Sequence, residues 1–345
     1  MRRTARPGTI VFMGDPAAAG VERWSSTAFH EEATAWVHDV CARLGGAPSG
    51  VVEQPHNRPW SSAIRFDATS GPLWFKVSGP GTRHEPALVD VLSRLVPGLV
   101  AEVLATDTER GWSLTRDAGP VLRQTAEPGQ LWSVWEEILP RYAEAQILLA
   151  AHVGELLATG TPEVSPRTLP DQAESLLKEL SAVGVEEGGL TAQEAEAVAA
   201  RLPAYTSWCT ELAGSGIPDS LQHDDLHSSN ICWGGTVEAS RVIDWGDASV
   251  GNPLGTMLCT LNSIGFHATV ELEDPRVLRV RDAYLEPFTR YAARSDLVRH
   301  VALSRRVGCV GRALSYKAAL LGEPVASHQE LEFPVRAWFL ELLEG

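Results

Sequence analysis

The sequence QHDDLHSSN at 222–230, followed by RVIDWGDASVGNP at 241–253, decides how the rest of this chain is read. Residues 219–250 read as loop, short strand, turn, strand and loop, with WGG at 233–235 as the turn, so two polar clusters flank a hairpin and fall close together in space. The clusters hold His223, Asp224, Asp225, His227, Asn230, Asp244 and Asp247. A carboxylate at 225, a carboxamide at 230 and a second carboxylate at 244 form a hard, oxygen-rich set. Such a set suits Mg2+ rather than a soft metal, and Mg2+ usually shares its shell with substrate phosphates. His223-x-Asp225-x-x-x-x-Asn230 also has the H-x-D-x-x-x-x-N spacing of a loop used in phosphoryl transfer. Asp244, fourteen residues after Asn230, stands at the end of the next strand, in the place of a second metal-holding aspartate.

Around this island the C-terminal sequence is helical. Tyr142, Ala145, Leu149, Val153 and Leu156 follow one another at spacings of three and four, Thr191 with Glu194 forms a capping box, and helical patterns return near 278–295, 298–321 and 329–343. Toward the N-terminus the pattern alternates. A helix is predicted from Ser26 to Leu44, with Ala33, Trp36, Val40 and Leu44 as its apolar stripe and Gly45-Gly46 ending it. Short strand-like runs follow at VVEQ (51–54), SSAIRFDA (61–68) and LWFKV (73–77), the last two joined by a turn at 69–72. A second helix begins near Glu85, with Pro86 in its first turn and Leu88, Leu92 and Leu95 on one face. VAEVLAT and GWSLTRD then read as strands separated by DTER. The expected class is α+β: an arm over 1–22, a smaller β-sheet lobe over 23–118 and a larger, mainly helical lobe over 119–345.

Composition narrows the function. The 345 residues carry 29 Lys and Arg against 44 Asp and Glu, a formal charge of −15, and a field of that sign repels nucleic acid. It favours a cationic small molecule instead. With 44% hydrophobic residues and 11 Trp there is material for more than one core, and a ligand cleft between two lobes is the natural consequence. The cysteines at 41, 209, 232, 259 and 309 form no C-x-x-C pair and read as small buried hydrophobes in a reducing compartment. The apolar run from Thr9 to Met13 is too short for a signal sequence, and no run approaches the ~18 apolar residues of a membrane span. The expectation is a cytoplasmic protein with no membrane, nucleic-acid or protein partner.

With these motifs the chain resembles the aminoglycoside phosphotransferase family, the small-molecule branch of the protein-kinase-like fold. The resemblance rests on 222–230 and 241–253, is supported by LWFK at 73–76 and GWSLTRDAG at 111–119, and extends roughly from residue 24 to the end. It implies a two-lobe, protein-kinase-like fold and transfer of the γ-phosphoryl group of ATP or GTP to a small-molecule hydroxyl. Residue by residue, it implies that Asp225 orients and deprotonates the acceptor hydroxyl and that His227 lies near the transferred phosphate. Asn230 and Asp244 would hold Mg2+, Lys76 would reach the α/β-phosphates and Glu85 would pair with Lys76. The loop RPWSSAIRF at 58–66 would cover the nucleotide, and because it has no glycine it would touch phosphates through Ser61, Ser62 and backbone amides. Two further departures from the family pattern are Asp224, where Gly is usual, and Thr256, where a bracing Asp is expected.

Plainer roles stand beside these. His223 reads as a buried histidine shaping its loop, and Asp247 as a turn residue. Trp60, Trp74, Trp112 and Trp245 alternate with strand residues and read as core. Two rival functions remain: a catalytically degenerate kinase-fold module that binds nucleotide without turnover, and a metal-dependent hydrolase with His223, Asp224 and His227 as ligands.

Overall fold

A computed structural model describes residues 19–48, 53–125 and 129–344. The chain runs α1 (Ala19–Ser25), α2 (Thr27–Arg43), β1 (Glu53–Arg58), β2 (Ser61–Phe66), β3 (Leu73–Ser78), α3 (Glu85–Leu95), β4 (Val103–Asp107) and β5 (Trp112–Arg116). After a crossing segment come α4 (Leu122–Thr125), α5 (Leu131–Leu149), α6 (Val153–Ala158), β6 (Glu163–Val164), α7 (Leu169–Ala182) and α8 (Ala192–Ala213). The island follows as β7 (Ser220–His223), β8 (Ile231–Cys232), β9 (Arg241–Val242) and β10 (Ala248–Gly251). The chain ends in α9 (Met257–Ala268), α10 (Pro275–Leu285), α11 (Arg294–Ala319), α12 (Val325–Glu330) and α13 (Pro334–Leu340). This is the expected pair of lobes, an antiparallel sheet followed by a helical body.

The first sheet has the order β1-β2-β3-β5-β4, antiparallel throughout. Strand alternation gives it two unlike faces. Ile64, Phe66, Leu73, Phe75, Val77, Trp112 and Leu114 form the outer face, and α2 covers it with Phe29, Ala33, Val37, Val40 and Cys41. Phe75 and Trp112 meet edge to face at 5.2 Å, and Trp36 closes on Trp112 at 5.7 Å. The other face, bearing Lys76, looks into the cleft. Ser26 caps α2 by accepting the Phe29 N–H at 3.3 Å, and Gly45, at φ +76°, ends it in a conformation that glycine adopts without strain.

Several expectations are corrected. Residues 19–22 of the expected arm open α1, whose Val21 carbonyl accepts from Asn57 of β1, while residues 1–18 lie outside the described residues, as do 51 and 52 of the strand expected at 51–54. Leu44 is 58% exposed, because the α2 stripe runs through Val37 and Cys41 instead. The run through Tyr142 to Leu156 is two helices broken by a tight turn at 150–152, and the patterns at 278–295 and 329–343 are likewise broken into shorter helices. Trp112 and Trp245 are core, but Trp60 and Trp74 are only half-buried; the register places Trp74 on the cleft face with Lys76. The capping box at Thr191 and Glu194 is present as read. Among the described residues no helix is long and apolar enough to cross a membrane.

Two cores support the helical lobe. One joins α3 (Leu88, Leu92) to α5, α9 and α10 and to Leu226 and Trp245 of the island; the other joins α7, α8, α11 and α13. Helix α11 also reaches the first lobe: a Cβ on Gly81, in the turn after β3, would lie 1.7 Å from the Ala318 carbonyl oxygen. Glycine is therefore required where the lobes touch backbone to backbone. Gly81→Ala should cost about 1–3 kcal/mol by forcing that contact apart, read by urea unfolding, whereas Gly154→Ala, with nothing within 4 Å, should not destabilise.

Candidate active site

The site is built where four segments converge under the first sheet: β3, the start of α3, the loop after β7 and the turn after β9. Lys76 Nζ lies 2.6 Å from Glu85 Oε1 and 2.6 Å from Asp244 Oδ1. Glu85 is buried at the first turn of α3, where its oxygens also accept from Ser78 Oγ and from the Trp245 backbone N–H, both at 2.9 Å. Burial alone would push the Lys76 pKa down, but Asp244 and Glu85 outweigh it and hold the ammonium charged. Likewise burial would raise the Asp244 carboxyl, and Lys76 instead holds it well below the usual range. Asp244 occupies a left-handed backbone position at φ 63°, strained for a residue with a Cβ, and such positions persist where the surroundings fix them.

The loop after β7 is held from behind. His223 is fully buried; its Nδ1 accepts the Asp225 N–H at 3.2 Å and its Nε2 donates to the Ile243 carbonyl at 3.0 Å. Burial lowers its pKa, so the ring is neutral in the tautomer that both bonds require. It shapes the loop, as its sequence context implies. Thr256 does not leave the loop unbraced. Tyr142 Oη accepts the His223 N–H at 2.8 Å, Gln146 Nε2 donates to the Leu221 carbonyl at 2.9 Å, and Tyr284 Oη donates to Gln146 Oε1 at 2.7 Å. Thr256 joins this network through its hydroxyl, 3.4 Å from Tyr142 Oη. A fully buried neutral network here does what a buried carboxylate would do only at a larger desolvation cost.

Asp225 opens toward the cleft. His227 Nε2 lies 3.3 Å from Asp225 Oδ2, and Asn230 Nδ2 donates to the Asp225 carbonyl at 2.9 Å, leaving Asn230 Oδ1 as an available acceptor. Burial would raise the Asp225 carboxyl, but the His227 hydrogen bond and Arg312 hold it low. Arg312 of α11, buried below the loop, lies 3.5 Å from Asp225 Oδ1 and 3.7 Å from Asp247 Oδ2. Asp247 also accepts from Ser315 Oγ, so it links the turn after β9 to α11 and is more than a turn residue. Nothing in the sequence marks Arg312: it is one basic residue in an amphipathic helix, and only tertiary packing brings it to the loop. Asp224 turns away from the cleft and accepts from Ser249 Oγ at 2.5 Å.

Of the two serines expected at the nucleotide, the structure separates Ser61 from Ser62. Strand alternation sends Ser62 to the outer face, fully buried, where its hydroxyl donates to the His56 carbonyl and accepts from Gln54 Nε2 at 2.7 Å. Ser61 stays on the cleft face. Trp74 lies there too, between Lys76 and the segment crossing between the lobes, its indole N–H donating to Asp117 Oδ1 at 2.9 Å.

The donors fit a hard cation shared with phosphates. Asp244 is 41% exposed and Asn230 offers an amide oxygen, while among the described residues no group of three or more His, Cys, Asp or Glu could cage a metal alone. Two protein oxygens with a lysine beside them would hold such a cation only together with phosphate oxygens and water.

Three comparisons bear on this geometry. The family model described as "Phosphotransferase enzyme family" matches residues 54–293. No curated protein matches. Among solved structures, the macrolide 2'-phosphotransferase MphH from Brachybacterium faecium is similar at 17% identity and a TM-score of 0.56, covering 87% of this chain and 97% of its own. Choline kinase LicA from Streptococcus pneumoniae, at 15% identity and 0.56, covers 90% and 99%. A choline/ethanolamine kinase family protein from Mesorhizobium loti, at 16% and 0.54, covers 92% and 99%. At these identities the likeness is one of fold.

Two outcomes follow for the loop. Tyr142→Phe strands the buried His223 N–H and should cost about 1–3 kcal/mol, read by urea unfolding. Burial, opposed in part by Ser249 and Arg312, pushes the Asp224 carboxyl up to about 7. The folded state thus keeps a proton that the unfolded chain releases above about pH 4. The stability Asp224 confers is full below that pH and is lost as pH rises through about 7. Relative to Asp224→Asn, the wild type should lose unfolding free energy between these limits, and a difference flat in pH would contradict the assignment.

Proposed function

The chain belongs to the phosphotransferase enzyme family, and on that premise we propose that it moves the γ-phosphoryl group of ATP or GTP to a hydroxyl of a small molecule, an aminoglycoside-like compound, amino sugar or amino alcohol. The observation that carries the reading is the convergence of Lys76, Glu85 and Asp244 across the two lobes, with Asp225 and Asn230 on a rigid loop beside them. Phosphoryl transfer asks for aligned oxygens and nearby cations rather than covalent chemistry, and this arrangement supplies both.

In the proposed reaction, Lys76 binds phosphate oxygens while Glu85 keeps its ammonium charged and aimed. Asn230 and Asp244 are the residues that hold Mg2+, which when bound neutralises phosphate charge. Asp225 accepts the hydrogen bond of the acceptor hydroxyl and takes its proton as the oxygen attacks; Arg312 and His227 keep that carboxylate ionised and aimed. His227 faces the transferred group with the Nε2–H it shares with Asp225. The flat face of Trp74 makes an apolar wall for the base, which is where a purine would lie if its phosphates reach Lys76. The net charge of −15 favours a cationic acceptor.

The test is Mg2+-dependent release of ADP or GDP by purified protein against amino alcohols, aminoglycosides, amino sugars, neutral sugars and macrolides. Acceptor-stimulated turnover is expected, and Asp225→Asn should lower kcat by about a hundredfold or more with its thermal melting midpoint little changed. Nucleotide binding without turnover across the panel would favour the degenerate module instead. Turnover of phosphate esters without nucleotide would favour the hydrolase.

A further inference from the structure

The hairpin that would cover the nucleotide is short and firmly held. Between β1 and β2 lie only Pro59 and Trp60. The Trp60 carbonyl accepts the Gly79 N–H at 2.6 Å and the Thr82 hydroxyl at 3.1 Å. On the other side, α1 packs so closely that a Cβ on Gly20 would lie 2.5 Å from the Pro59 carbonyl oxygen. A loop that cradles phosphates through its amides needs glycines and freedom to turn those amides toward the ligand. This turn has neither, so contact from the hairpin falls to side chains on its cleft face.

The register identifies them. His56 pairs with Ala63 and Ala63 with Lys76, and residues directly opposite one another on antiparallel strands point to the same side. The shift in register between Glu53 and His56 makes this possible: Gln54 turns to the outer face, where it donates to the Trp24 carbonyl at 3.0 Å, while His56 turns into the cleft. There its Nε2 lies 3.3 Å from Ser61 Oγ, and the charges of Asp244, Lys76 and Arg58 act on it. An imidazole with one nitrogen steadied by a serine presents the other to a ligand.

We propose that His56, steadied by Ser61, binds the phosphates of the nucleotide, taking the part that a glycine-rich backbone would otherwise play. This rests on the phosphotransferase reading and adds to it a residue that the motifs do not mark. Burial lowers the imidazole pKa, so the ring is neutral beside Lys76 before the nucleotide arrives and adds no like-charge repulsion.

The experiment is calorimetric titration of the full chain, with Mg2+ present, using ATP, GTP, adenosine and guanosine as probes. His56→Ala is expected to weaken the triphosphate that binds wild type by about tenfold or more and to leave its nucleoside unchanged. His56→Gln, which keeps a donor, is expected to recover much of the loss, and Ser61→Ala to lose less than His56→Ala. Unchanged triphosphate affinity in His56→Ala, or an equal loss for nucleoside and triphosphate, overturns the inference alone. Wild type that binds none of the four probes overturns the phosphotransferase reading and the inference together. Should His56→Ala not fold, His56→Gln and Ser61→Ala decide: a triphosphate-selective loss in Ser61→Ala with Gln near wild type supports the inference, and no loss in Ser61→Ala overturns it.

Discussion

The Lys76 ammonium, held between Glu85 and Asp244, is the interaction on which the rest of the architecture depends. One partner starts α3 and the other lies in the turn after β9, so a single cation joins the sheet, the helix beneath it and the helical lobe. A charge this deeply placed is stable only with its partners well aligned, and removing either would strand the other. Glu85 is itself fixed by Ser78 and by the Trp245 backbone. The geometry at the cleft is therefore over-determined, which is what a site that works by placement requires.

Behind the loop, a neutral network replaces a charge. Tyr142, Gln146, Thr256 and Tyr284 satisfy the backbone of β7 and of the turn after β10 in a space closed to water. The same loop is pulled from the far side by Arg312, which sits under both Asp225 and Asp247. The brace is neutral where the loop meets the core and charged where it meets the cleft. That division follows the cost of burying ions, which is lowest where the carboxylates can still reach solvent.

Much of this was legible in the letters. The alternation of helices and strands in the first lobe, the β8–β9 hairpin and the capping box rest on local rules of periodicity and turn residues, whereas β7 and β10 read locally as loop and the pairing of Lys76 with Glu85 followed only from the family resemblance. The errors have local reasons too. Leu44 was assigned to the stripe of its helix, yet that stripe is chosen by which side meets the sheet. Trp74 looked like core because alternation gives two faces without saying which is covered. Ser61 and Ser62 looked equivalent for the same reason, and strand parity separates them.

By itself the sequence determined which residues could do hard-oxygen and phosphate chemistry, and that 225, 230 and 244 belong to one loop system, because those spacings are short enough for the local chain path to fix. Tertiary structure alone decided which face of the sheet is the cleft, that a bulge turns His56 into it, and that α11 brings Arg312 beneath Asp225. Those outcomes depend on contacts between segments far apart in the chain, and such contacts are set by packing and by the desolvation of charge rather than by any spacing within the sequence.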